Sequence, residues 1–242
     1  MNIAILFAGG VGSRMNSKAK PKQFLEIHGK EIIIHTIELF EKHQEIDAIV
    51  ISCVENGVSY LNELLKKYNI QKVKAVVVGG TTGQLSIYNG LKEAQKIANG
   101  EKSVVLIHDG VRPLINAKTI SDNIECVIAN DSSITCVKVK ETVLVVSEDN
   151  SIEYVPSRED SRLARAPQSF WLDEILQVHN KAMGDGITDF IDCCTMMQFY
   201  KKKLYLIEGP QENIKITTPD DFYIMRAILE ARENSQIYGL IE

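Results

Sequence analysis

Short runs of β-branched and aliphatic residues alternate along the chain with longer stretches in which apolar positions recur every three or four residues. The first pattern is that of buried strands and the second that of helices with one apolar face, so the chain reads as helices packed on a mainly parallel sheet. Residues 3–7 predict the first strand. Residues 32–43, with Ile33, Ile37 and Phe40 at helical spacing, predict a helix, and 48–53 a second strand. A helix over 58–68, a strand over 73–78 and a helix over 84–97 follow, the last after the loop Gly79-Gly80-Thr81-Thr82-Gly83. Residues 103–108 form a further buried strand that runs into His108-Asp109-Gly110-Val111-Arg112-Pro113. Each loop that carries chemistry lies at the carboxyl end of a predicted strand, where open α/β sheets bind ligands.

The pattern changes at 138–158. Residues 137–146 read as a strand, Ser147-Glu148-Asp149-Asn150-Ser151 as a polar turn and 152–155 as a returning strand, which makes a long hairpin. A two-stranded ribbon has little core of its own. It must pack either on a second copy of the chain or back on its own sheet. Helices over 170–182 and 188–200, a strand over 203–208 and a helix over 219–233 complete the chain. Thr218-Pro219-Asp220-Asp221 opens that helix with a cap, a proline at the first position and acids in the first turn. No repeat or linker interrupts the chain, so residues 1–242 read as one domain with a hairpin arm at about 138–158.

With 242 residues, 45% of them hydrophobic, the chain is long enough to bury a full core. A net charge of −5 leaves no overall basic field for nucleic acid or an anionic membrane, so any polyanion must be small and met locally. The five cysteines are odd in number and show neither a Cys-x-x-Cys pair nor a zinc spacing, as expected for reduced thiols. No apolar run approaches the roughly 20 residues of a membrane span, and the first strand begins at once, with no basic leader. These features predict a soluble, cytoplasmic protein.

The first strand runs into Ala8-Gly9-Gly10-Val11-Gly12-Ser13-Arg14-Met15, and Lys20-Pro21-Lys22-Gln23 follows. Glycines bring the backbone close to a polyphosphate, while Arg14, Lys20 and Lys22 supply positive charge for it. A dinucleotide fingerprint would need a third glycine where Met15 stands, and a Walker loop would end in Gly-Lys-Ser/Thr, which is absent. The loop suits a nucleoside triphosphate.

Arg14, Pro21-Lys22-Gln23, Gly79-Gly80, His108-Asp109-x-x-Arg112-Pro113, Pro167-Gln168-Ser169-Phe170, Thr188-Asp189 and Asn213-Ile214-Lys215-Ile216-Thr217 occur in this order along nearly the whole chain. Together they resemble the cytidylyltransferases of small polyol phosphates, which act on methylerythritol 4-phosphate or ribitol 5-phosphate. The resemblance implies a three-layer α/β nucleotidyltransferase fold of Rossmann-like type with a mainly parallel sheet and a protruding β-hairpin dimerisation arm. It also implies CTP, Mg²⁺ carried mainly on the CTP phosphates, a homodimer, and attack of a polyol-phosphate oxygen on the α-phosphorus with release of pyrophosphate. By position the catalytic cations fall on Arg14, Lys22 and Lys215, with Lys20 a solvated extra. The nucleotide falls on Ala8, Gly9, Gly10, Gly12, Gly80, Thr81 and Ser86. The polyol phosphate falls on Asp109, Arg112, Thr142, Arg158 and Thr188, with Arg158 reaching the partner subunit's site.

Three positions depart from the family pattern: Gly83 stands where many relatives carry arginine, Ala166 replaces the threonine of Thr-Pro-Gln, and Phe190 replaces an acid. The departures at Ala166 and Phe190 favour a pentitol phosphate such as ribitol 5-phosphate as acceptor over 2-C-methyl-D-erythritol 4-phosphate, the alternative of isoprenoid synthesis. A uridylyl- or guanylyltransferase, a non-catalytic nucleotide-binding protein and an NAD-dependent oxidoreductase are the competing readings. His108 is expected in a structural role, since an attacking phosphate needs no general base, and His35, beside an apolar helix face, as a satisfied core residue. Met196 and Met197 are expected to pack.

Overall fold

Along strand β1 (Asn2–Ala8) the side chains alternate between two faces, and Ala4 and Leu6 on one face and Ile3 and Ile5 on the other are all buried. A strand covered on both sides belongs at the centre of an α/β sheet. The computed structural model describes residues 1–9 and 20–238. Strand β1 pairs in parallel with β4 (Ala48–Cys53) on one side and with β6 (Val104–Asp109) on the other. Strand β5 (Val73–Val78) continues the parallel array beyond β4. Past β6 comes β10 (Arg162–Trp171), antiparallel to both its neighbours, then β7 (Ser132–Lys138) and β11 (Leu206–Glu208). The seven strands lie in the order β11-β7-β10-β6-β1-β4-β5.

Helices α1 (Ile32–Glu41), α2 (Val58–Lys67) and α4 (Ala117–Asn130) cover one face and share a core with Ala4 and Leu6. Helices α3 (Gly83–Ala98), α5 (Leu172–Gly184) and α6 (Cys193–Phe199) cover the other, around Ile3 and Ile5. Helix α3 approaches closely at Gly90, where a Cβ would stand 2.7 Å from Ile5 Cγ2. A short hairpin, β2 (Glu26–Ile27) with β3 (Lys30–Glu31), meets α7 (Pro219–Tyr238) in a third cluster formed by Ile27, Ile32, Ile216 and Met225. The chain steps from β1 through α1 and α2 to β4 and β5, then crosses back by α3 to β6 on the opposite side of β1. That reversal opens a crevice at the carboxyl ends of β1 and β6.

The structure corrects the sequence reading in five places. Helix α4, absent from that reading, follows an Asn116 cap and buries Ile120, Ile124 and Val127. Strand β10 was also missed: Arg162, Leu163 and Ala164 are exposed, Pro167 interrupts the stretch, and only pairing between β6 and β7 makes it a strand. Phe170 and Trp171 therefore end a strand, and the helix expected over 170–182 begins at Leu172. The helix expected over 188–200 begins only at Cys193, because Asp192 caps it through Thr195 N (2.7 Å). Residues 137–146 are not one strand: β7 ends at Lys138 and β8 (Val145–Val146) pairs separately with β9 (Ile152–Tyr154). The polar turn between them stands as read, with Asp149 Oδ1 accepting from Ser151 N at 3.0 Å. This ribbon leaves Leu144, Val146, Ile152, Tyr154 and Val155 about half exposed.

Asn123 ties the two missed elements together. Its fully buried amide donates to Thr119 O (2.8 Å) and Thr135 Oγ1 (2.9 Å) and accepts from Ser169 Oγ (2.9 Å), joining α4, β7 and β10. Asn123→Ala strands a buried hydroxyl on each strand, and we expect a loss of about 1–3 kcal/mol in unfolding free energy by urea titration. A change below ~0.5 kcal/mol, the range of ordinary surface substitutions, would remove the network from the account of the fold.

Candidate active site

The crevice is built from the ends of three parallel strands. At the end of β1, Ala8 O accepts from Gln23 Nε2 (2.9 Å), which draws the short turn Lys22–Phe24 and the Lys22 side chain to the mouth. Phe24 packs edge-on against Tyr60 of α2 (5.1 Å between centroids) and anchors that turn. Gly9 lies against α3: a Cβ there would come 2.7 Å from Ser86 Oγ, so this approach requires glycine. The Ser86 hydroxyl donates to Thr82 O (2.9 Å) and accepts from Gly80 N (3.0 Å), shaping the loop before α3. One of its lone pairs remains for a ligand donor. Thr82 caps α3 by accepting from Leu85 N (3.2 Å) and donates to Thr188 O (2.5 Å).

Two connected cavities result. The larger, about 800 Å³, is lined by Ala8, Gly9, Lys22, Gly80, Thr81 and Ser86, and its size is that of a small-molecule site. The smaller, about 200 Å³, is lined by Arg112, Arg165, Ala166, Gln168, Ile191 and Asp192. Phe7, Gly83, Asp109 and Lys215 line both. A side chain at Gly83 would meet nothing within 4 Å, so the junction is open there.

Charge is concentrated at that junction. Asp109, buried at the end of β6, accepts from Arg112 Nε through Oδ2 (2.7 Å) and pairs through Oδ1 with Lys215 Nζ (2.6 Å). Burial alone would raise its pKa, but the Arg112 and Lys215 charges outweigh it and hold the carboxyl at about 2. Arg112 is fixed further by Nη1 donating to Asn213 O (2.9 Å). The backbone around Lys215 is pinned on both sides: Asn213 Nδ2 donates to Ala166 O (2.7 Å), and Ile216 N to Val111 O (2.9 Å). His108 is fully buried and its Nε2 donates to Arg112 O (3.0 Å). Burial pushes its pKa down to about 4, so it is a neutral support for the loop, as expected. His35, bonded to Ile27 O at 3.1 Å, and the buried Met196 and Met197 also play the structural parts expected of them.

Of the residues expected at the site, Ala8, Gly9, Lys22, Gly80, Thr81, Ser86, Asp109, Arg112 and Lys215 line the crevice. Arg14, Gly10 and Gly12 lie outside the described residues. Thr142 and Arg158 are exposed on the ribbon, where Arg158 Nη1 donates to Lys140 O (3.4 Å), and neither lines the crevice. Thr188 touches it only indirectly, through the bond of its carbonyl to Thr82. Lys20 pairs with Glu26 (3.0 Å) and sits over the Tyr60 ring. Phe190 turns away into a cluster with Phe199 and Tyr200, while its N–H donates to Gln84 Oε1 (2.9 Å) and clamps the wall of the smaller cavity. Sequence reasoning missed Arg165 and Ile191, which the unread strand β10 and the turn before α6 bring to the site, whereas Asp192, one of two acids that could offset Phe190 or act as a cap, is found both capping α6 and lining the smaller cavity.

Among the described residues no three His, Cys, Asp or Glu side chains converge as a metal cage. Of the carboxylates in the crevice Asp109 is already held by two cations, which leaves the exposed Glu55 and the capping Asp192. Such a site fits Mg²⁺ carried on the phosphates of a nucleotide, since this ion keeps waters and takes few protein ligands.

Comparison with known proteins agrees with this geometry. The family described as IspD, 2-C-methyl-D-erythritol 4-phosphate cytidylyltransferase, matches residues 2–231. A ribitol-5-phosphate cytidylyltransferase of Streptococcus agalactiae serotype V is 54% identical over 240 residues, covering 99% of this chain and all of the relative. A 2-C-methyl-D-erythritol 4-phosphate cytidylyltransferase of Clostridium novyi is 38% identical over 230 residues, 95% of this chain and 96% of the relative. The crystal structure of 4-diphosphocytidyl-2C-methyl-D-erythritol synthase from Anaerococcus prevotii superposes with a TM-score of 0.81 at 27% identity, covering 95% and 96% of the two chains.

The buried ionisable groups give the fold a defined acid response. His108 and His179 are both lowered by burial from 6.5 to about 4, so the unfolded chain takes up protons that the native chain refuses. Their effect is absent above pH 6.5 and erodes stability as the pH falls from there toward 4. The Asp109 contribution is present above pH 3.8 and is lost as the pH falls toward 2. We expect unfolding free energy to decline between pH 6.5 and 4, and His179→Leu, which removes a buried ring with neither nitrogen bonded, to flatten part of that decline. A variant with the wild-type slope in chemical denaturation across that range would contradict the assignment.

Proposed function

The chain belongs to the 2-C-methyl-D-erythritol 4-phosphate cytidylyltransferase family, and within it we propose that this protein transfers the cytidylyl group of CTP to D-ribitol 5-phosphate, forming CDP-ribitol and releasing pyrophosphate. The observation that carries the reading is Lys215, the one cationic side chain among the described residues that lines both cavities. A group transferred between two ligands must be held where their sites meet. The ribitol choice rests on the relatives that are more than half identical along the whole chain.

CTP occupies the larger cavity, its base read by backbone groups of Ala8, Gly9, Gly80 and Thr81 and by the free lone pair of Ser86. The polyol phosphate occupies the smaller one, against Asp109 and Arg112. A phosphate oxygen of the acceptor forms a bond to the α-phosphorus of CTP while the α–β bridging bond breaks and pyrophosphate leaves. The attacking group is already an anion, so no side chain need take a proton. Charge gathers on the α-phosphate oxygens, where Lys22 and Lys215, which line the crevice, and Arg14, in the basic loop that follows β1 in sequence, stabilise it. Mg²⁺, bound chiefly through the triphosphate, would neutralise the leaving pyrophosphate.

We further propose a single nucleotidyltransferase domain that dimerises through the ribbon, which carries Thr142 and Arg158 into the partner's site. The half-exposed Leu144, Val146, Ile152 and Tyr154 support this, since a ribbon without a core needs a surface to cover it. The free thiols of the five cysteines suit a reducing cytoplasm.

Pyrophosphate release with CTP and Mg²⁺ tests the acceptor directly. We expect kcat/KM for D-ribitol 5-phosphate to exceed that for 2-C-methyl-D-erythritol 4-phosphate at least about tenfold, and the reverse order would replace the ribitol reading. Lys22→Ala is expected to lower kcat by roughly a hundredfold or more with folding intact, and wild-type turnover would remove Lys22 from the mechanism. Mixing Arg158→Ala and Lys215→Ala chains, each nearly inactive alone, should restore about a quarter of wild-type activity, because half of the dimers are hybrids with one intact site. No recovery after verified subunit exchange would mean that Arg158 does not act across the dimer.

A further inference from the structure

Arg165 stands at the interruption of the β7–β10 ladder, where pairing leaves off at Ala164 and resumes at Gln168. Such irregularities re-aim side chains, and this one lines the smaller cavity beside Arg112. Its guanidinium is half-buried, and Nε is fully enclosed without a hydrogen-bond partner. Among the described residues no carboxylate pairs with it. The two acids of the cavity are committed elsewhere: Asp109 to Arg112 and Lys215, and Asp192 to Thr195 N (2.7 Å) and Gln168 Nε2 (3.0 Å). Burial and the nearby Arg112 both press its pKa downward, the mark of a cation held without compensation.

A half-buried arginine with free forked donors beside a second arginine is a site for a multiply charged oxyanion. We propose that Arg165 binds the phosphate of the acceptor from within the same chain, sharing it with Arg112 and Lys215. The inference rests on the cytidylyl-transfer reading and adds to it a residue that fixes the attacking group. It also gives a reason for the smaller cavity to exist before any partner subunit contributes Arg158. A bare polyol, lacking the phosphate, would leave Arg165 unpaired and would bind weakly.

The test fills the larger cavity with a non-hydrolysable CTP analogue and Mg²⁺ and titrates D-ribitol 5-phosphate, ribitol and inorganic phosphate into wild-type, Arg165→Gln and Arg165→Lys proteins by calorimetry. In Arg165→Gln, affinity for D-ribitol 5-phosphate should fall roughly tenfold or more while the CTP analogue stays within about twofold; Arg165→Lys should fall between. Because the substitution removes an uncompensated buried charge, the Tm of the free Arg165→Gln protein should equal or exceed that of wild type. A residue with a merely structural role would lower it. Equal affinity for D-ribitol 5-phosphate in wild type and Arg165→Gln would overturn the proposal, as would equal loss of both ligands together with a lower Tm. If wild type makes no CDP-ribitol, the acceptor reading fails separately, and inorganic phosphate decides for Arg165: a tenfold weakening in Arg165→Gln supports it and no change refutes it.

Discussion

One buried carboxylate organises this protein's chemistry. Asp109 lies between Arg112 and Lys215, hydrogen-bonded to the first through Oδ2 and ion-paired with the second through Oδ1, at the point where the two cavities meet. Without it, two cations would face each other in a water-poor crevice; with it, both are held in place and turned toward ligands. A buried ion pair of this kind contributes little net stability, because desolvation offsets much of the attraction, and its value lies in positioning. On the proposed reaction, charge preorganised in this way would meet phosphate at no further reorganisation cost.

The sheet explains why that carboxylate sits where it does. The crossing from β5 through α3 to β6 reverses the strand order and opens the crevice between the ends of β1 and β6, so Ala8, Gly9 and Asp109 converge from segments far apart in sequence. The antiparallel strand β10 then lies along β6 and supplies the second cavity, with Gln168 opposite Ile107 and Arg165 just beyond. A purely parallel sheet would have placed a strand's end here in place of its middle. The clamp from Thr82 and Gln84 to residues 187–190 joins the loop before α3 to the wall of the smaller cavity, so the two cavities share one frame.

Much of this was legible in the chain. Strands β1, β4 and β6 are apolar runs buried on both faces or nearly so, and the loops that line the crevice follow them at once, so Ala8, Gly9 and Asp109 could be placed there from the sequence. Asp109, Arg112 and Lys215 were likewise placed by their motifs. What could not be read depends on tertiary partners. Strand β10 has an exposed, partly charged first half and an internal proline, and becomes a strand only when β6 and β7 flank it. Arg165 was therefore invisible as a site residue, since no local pattern says which way it points. The segment 188–192 looked helical because its apolar residues continue the spacing of α6, but Gln84 and the Asp192 cap hold it apart from that helix.

The central claim is that a cytidylyl group passes between two cavities across Lys215 and Asp109. A crystal structure of the wild-type protein with CDP-ribitol tests it most directly. The account predicts the cytosine among Gly9, Gly80 and Ser86, the diphosphate within hydrogen-bonding distance of Lys215 Nζ, and the ribitol chain among Asp109, Arg112 and Gln168. A product lying wholly within one cavity, with Lys215 still bonded only to Asp109, would contradict it.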